Sequence, residues 1–213
     1  EVIARLFFMA HTTARYSGSF EATFESDLGR LTGLAAGDSA GFIDALDRTV
    51  NDRLTSDYWT IALPNELATS ASKSPALMAY LAALNIHDAD VLLSTTKVRS
   101  RLDPAISLKK GIERHHIFPR NYLKQRGVTD LKRINQIANF AAVEWPQNLK
   151  IGKQAPRDYV PALDAALSAA QRDQMYFWHA LPPLWWELSY DDFLVERRIR
   201  MARVIKAAWE HLS

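Results

Sequence analysis

No cysteine occurs in the chain. Its absence excludes disulfide bonds, thiolate zinc centres and a cysteine nucleophile, and it fits a reducing, cytoplasmic setting. Long hydrophobic runs are missing too: none approaches the ~18–20 residues that span a bilayer. The apolar opening, Arg5–Ala10, is too short and wrongly flanked for a signal peptide, so no membrane partner is expected. There is no Walker A loop and no GxGxxG turn, which removes the usual nucleotide-binding devices. Internal repeats and low-complexity stretches are also lacking. The chain opens on Glu1 rather than methionine, which predicts a fragment of a longer protein.

What is present is ordinary in bulk and uneven in detail. The 213 residues, 48% apolar and 23% charged, suit one globular domain or two small ones sharing a core. The net charge of +2 hides an asymmetry. Residues 1–96 hold 6 Lys/Arg against 12 Asp/Glu, residues 97–153 hold 13 against 4, and residues 154–213 hold 7 against 8. A basic centre between acidic and neutral flanks predicts a localised contact with a polyanion; charge alone would equally fit a solvated basic surface.

The flanks read as helices. Ile3, Leu6, Phe7, Ala10 and Ala14 recur at helical spacing over 2–16, and Phe20, Phe24, Leu28 and Leu31 over 20–34. Asp38 or Ser39 can cap a third helix with Phe42, Leu46, Val50 and Leu54 on its apolar face, and Ser74-Pro75 opens a fourth carrying Leu77, Leu81 and Leu84. After the centre, Pro156 and Pro161 punctuate a helix with Tyr159, Leu163 and Leu167. The aromatic run of residues 175–186, His179 included, reads as core. A last helix, capped at Ser189, runs through Phe193, Ile199, Ala202, Ile205 and Trp209, with Arg197, Arg198, Arg200, Arg203 and Lys206 on a polar side. His11 and His87 fit surface or core positions better than ligand roles.

The centre, Glu113–Lys153, breaks this pattern. A loop over 94–110 leads to a strand from Ile112 to Ile117; Pro119 opens a short helix that Gly127 ends, and Asp130 can cap another turn. Ile137–Val143 is a second strand candidate interrupted by Asn139, and residues 144–153 read as a helix start with Pro146 in its first turn. The strand holds the adjacent pair His115-His116, whose side chains would leave a regular strand on opposite faces. Hydrolysing a phosphodiester needs a base for water and a cation at the phosphate and the departing 3′ oxygen. A neutral imidazole can serve either need. Lys109, Lys110, Arg114, Arg120, Lys124, Lys132, Arg133, Lys150 and Lys153 surround the pair in sequence, as binding a polyanion by its backbone requires.

RHHIFPRNYL, then INQIANFAAVEWPQNLKIGKQAPRDYV, closely resembles the HNH (ββα-metal) nuclease domain over about fifty residues, Ile112 to Val160. Within that family it is most similar to the C-terminal domains of two-part bacterial restriction effectors, the GmrSD type and the SspE-like type that acts with DNA phosphorothioation. The resemblance implies a mainly α fold, a helical scaffold around a small ββα-metal motif with a two-stranded antiparallel sheet. It divides a single nuclease domain into a scaffold (1–96), a ββα core (109–160) and C-terminal helices (161–213). It implies His115 as first metal ligand, His116 as general base, Asn139 as a brace for the loop and the base, and Asn148 as second metal ligand. Mg²⁺ or Mn²⁺ would be the ion, held weakly by one imidazole and one amide. Arg114, Arg120, Lys150 and Lys153 would contact phosphate.

The function so implied is nicking or cleavage of foreign DNA in a bacterial, antiviral restriction system, with little sequence preference. The nucleotide-hydrolysing sensor of such effectors would lie outside these residues. A double-strand break rather than a nick would need two sites acting together, as in a homo-oligomer. Two other readings stand beside it: a catalytically weak DNA-binding module that keeps the fold, and an interaction domain built on the aromatic run.

Overall fold

The computed structural model describes residues 1–101, 112–144, 151 and 154–212, with the backbone alone described at Arg101, Ile112 and Glu113. It is mainly helical, with one two-stranded antiparallel sheet. Helices α1 (Val2–Thr12), α2 (Phe20–Gly29) and α3 (Ser39–Asn51) come first, followed by a π-helical segment, Tyr58–Ala62, running into α4 (Leu63–Glu66) and then by α5 (Pro75–Ile86). Strand β1 (Ile112–His116) and strand β2 (Phe140–Glu144) flank α6 (Arg120–Gln125) and α7 (Leu131–Ile134). Helices α8 (Pro156–Ala165), α9 (Ala169–Trp178) and the long α10 (Tyr190–Glu210) close the chain.

The expected caps are in place. Asp38 accepts from the Gly41 amide at 2.9 Å, Ser74 from Leu77 at 3.2 Å, Asp130 from Lys132 at 2.9 Å and Ser189 from Asp192 at 3.2 Å. Gly127, at φ +82°, turns the chain out of α6.

Helical faces differ from the expected ones. In α1 the buried residues are Phe8, Met9 and Thr12, while Ile3 and Phe7 are 70% and 74% exposed. The reason lies in the composition: Phe7, Phe8 and Met9 are consecutive, so period alone leaves the phase open. In α3 the buried set is Ala45, Thr49 and Val50, with Phe42 turned outward. Helix α2 buries nothing and stops at Gly29 rather than near Gly33. It is tied down by polar contacts instead: Arg15 and the Tyr16 hydroxyl both bond Asp27, the latter at 2.7 Å. The second strand starts later than expected, because residues 137–139 form a 3₁₀ turn before β2. Arg197 is the sharpest correction. It does not lie on a polar side of α10 but is 0% exposed.

One buried cluster runs from Phe8 to Trp209 and joins hairpin and scaffold. The Leu92 amide donates to Ala142 at 3.0 Å, so β2 has β1 on one edge and the scaffold on the other. Phe118, just past β1, packs on the rings of Trp185, Tyr190 and Phe193, and the Tyr159 hydroxyl donates to Ile117 O at 2.9 Å. Trp185 from the aromatic run, with Tyr159, Tyr190 and Phe193 from the helices on either side, thus supplies core for a hairpin too small to build its own.

His179 is part of that core, its Nε2 donating to the Asp90 carbonyl at 2.9 Å. Burial pushes its pKa down to about 4. An unfolded histidine binds its proton near pH 6.5, so the unfolded chain gains a proton that the folded one refuses between those values. Stability should therefore be full above pH 6.5 and fall by about 3 kcal/mol as pH drops to 4. Urea midpoints across this range check it, and a His179→Gln protein should show a shallower fall.

Candidate active site

Strand β1 pairs with β2 in one regular register: Arg114 opposite Ala142, His115 opposite Ala141 and His116 opposite Phe140. Regular pairing through His116 puts the two imidazoles on opposite faces of the hairpin. The side chains bear this out. His115 is 6% exposed and lines a narrow cavity of about 20 Å³ with Ile151, Tyr159, Asp164 and Tyr176. His116 is half-buried on the other face, its ring 4.2 Å from that of Phe140, and the Arg114 guanidinium lies 3.8 Å from the centre of the same ring.

Burial holds the His116 imidazole below its ordinary pKa, and the positive charges of Arg114 and Arg120 push the same way against a hydrogen bond to Asn135. The ring is thus neutral near pH 7, the state in which it can take a proton. Its Nε2 lies 2.9 Å from Asn135 Oδ1.

Asn139 is wholly buried and uses its amide at both ends. Oδ1 accepts from the Phe118 amide at 2.9 Å, and Nδ2 donates to Phe118 O at 3.2 Å and Ile134 O at 3.0 Å. It therefore clasps the start of the β1–β2 connection to its end, and it makes no bond to an imidazole. Asp164 is buried, with its pKa raised by desolvation despite a hydrogen bond from the Tyr176 hydroxyl.

Asn148, Lys150 and Lys153 lie outside the described residues. Arg114 and Arg120 are exposed, as are Lys124 and Lys132 on α6 and α7. Several cations of the basic segment are engaged within the protein: Arg114 over the Phe140 ring, Lys97 with Asp88 and Asp90, Arg99 with Asp88, and Arg133 with Asp191. Arg126 covers the Tyr122 ring at 4.8 Å. The polyanion-facing set is smaller than the charge count implied.

Among the described residues, no group of three or more His, Cys, Asp or Glu side chains could hold a metal ion. Asn135 and Asp164 are the polar residues beside the two histidines that sequence reasoning missed. Asn135 ends a one-turn helix and Asp164 sits in α8, and neither has a linear spacing to the histidine pair that marks it. No family model, curated protein or solved structure matches the chain.

Proposed function

We propose that this chain is an HNH-type, divalent-metal-dependent DNA endonuclease that hydrolyses phosphodiesters with little sequence preference. The observation that carries the reading is the pairing of a neutral, half-buried His116 at the end of β1 with a fully bonded Asn139 clasping the connection behind it. Asn139 has little reason to be asparagine in an apolar core unless that loop must keep one shape, since burying an amide is costly without all its bonds.

In this mechanism His116 takes a proton from the attacking water, whose oxygen bonds to phosphorus as the bond to the 3′ oxygen breaks. Arg114 and Arg120, exposed beside the imidazole, hold the neighbouring phosphates. His115 would hold Mg²⁺ or Mn²⁺ together with Asn148. When bound, the ion would stabilise charge on the phosphate and the leaving oxygen.

Supercoiled plasmid should be relaxed by the chain with Mg²⁺ or Mn²⁺ and left intact with EDTA. A second reading, a DNA-binding module with a silent site, is favoured by one observation: His115 is nearly enclosed among apolar side chains. That reading requires DNA binding that weakens steeply with salt and no nicking at any metal concentration. Absence of both nicking and salt-dependent binding would overturn both.

A further inference from the structure

We propose that Asn135 is a positioning residue for His116: it holds the Nε2–H and leaves Nδ1 as the nitrogen that accepts the proton. This rests on the nuclease reading for its catalytic consequence, but the tautomer itself does not. The Asn135 Oδ1 can only accept, so at 2.9 Å the imidazole nitrogen facing it must carry the hydrogen. Among the described residues no hydrogen bond is made to Nδ1. A neutral ring with Nε2 protonated has its lone pair at Nδ1.

What makes Asn135 a support rather than a passing contact is how the chain around it is held. Helix α10 grips the segment on both sides. The Tyr190 hydroxyl donates to Arg133 O at 2.9 Å, Arg198 donates to the Gln136 side chain at 2.8 Å, and the buried Arg197 donates to Ala138 O at 2.7 Å. Asn139 adds the bond to Ile134 O, and the Ile137 amide donates to Thr69 O at 2.8 Å. Residues 133–139 are therefore fixed to α10 and to Thr69 at four points and braced internally by the Asn139–Ile134 bond, and the Asn135 amide is presented to the imidazole from a rigid base. Phe140 closes the ring's side at 4.2 Å, leaving it little freedom to turn.

The test joins a spectrum to kinetics. In the full chain with ¹⁵N-labelled histidine at pH 8, His116 should show a protonated Nε2 and a bare Nδ1, with the Nε2 proton slow to exchange. In Asn135→Ala that slow proton should vanish, while Asn135→Asp, which keeps an oxygen acceptor, should retain it. If the wild-type chain nicks plasmid, Asn135→Ala should lose about 10- to 100-fold in kcat with KM for DNA unchanged, and Asn135→Asp should recover most of the rate. A wild-type ring protonated at Nδ1, or a slow proton unchanged in Asn135→Ala, overturns the assignment whether or not the chain nicks. A normal spectrum with no nicking in any variant sinks the nuclease reading and leaves the Asn135 contact standing. Thermal melting of each variant shows that a lost rate is not a lost fold.

Discussion

Replacing His116 with alanine should slow DNA nicking by about 10²–10⁴-fold, the range that a positioned general base contributes. The loss should fall on kcat. On the nuclease reading, backbone affinity would come from exposed cations such as Arg114 and Arg120, so salt-dependent DNA binding should survive in the variant. Folding should survive as well. His116 ends its strand half-buried, and its removal costs a contact with Phe140 and one hydrogen bond, a loss of about 1 kcal/mol. A plasmid-relaxation time course with the two proteins at equal DNA occupancy measures the ratio. Relaxation by His116→Ala at the wild-type rate would remove His116 from the chemistry.

The second large effect is on stability. Arg197→Ala should destabilise the fold by about 3–5 kcal/mol, because one change removes several things at once. The guanidinium is wholly buried, its Nε donates to His179 O at 3.1 Å and its Nη1 to Ala138 O at 2.7 Å, and among the described residues no carboxylate is a hydrogen-bond partner. Burial lowers its pKa for the same reason that makes it expensive to place: the charge is desolvated, and the carbonyls and the neighbouring Tyr80 hydroxyl offset that only in part. Alanine would leave two carbonyls without a donor and a cavity the size of the side chain. Arg197→Met should be milder, since it refills the volume, yet still worse than wild type because both carbonyls stay unpaired. Urea denaturation gives the comparison. A loss below about 1 kcal/mol for Arg197→Ala would mean that the buried carbonyls find other donors.

Arg197 also shows where linear reasoning stops. It lies four residues after Phe193 and four before Met201, both fully buried, so it continues the apolar stripe of α10. Reading the arginines of that helix by type put it with the solvated ones; position on the helix put it inside. The same gap separates the two asparagines. Asn139 stands out in the sequence because a polar residue interrupts an apolar run. Asn135 follows a basic turn among other polar residues, and only folding brings it within 2.9 Å of an imidazole nineteen positions away.

By itself, then, the sequence determined the helical character of the flanks, their caps, the two central strands and the basic segment that contains those strands. These depend on near neighbours: a hydroxyl or carboxylate within three residues of an amide, a proline's fixed φ, a run of like charges. Tertiary structure decided which face of each helix is buried, which cations are already paired, and that His115 and His116 look out from opposite sides of one hairpin. A repeat along the chain sets a period, but its phase is chosen by what packs against it, and a hydrogen bond between distant residues exists only once the fold has closed the distance.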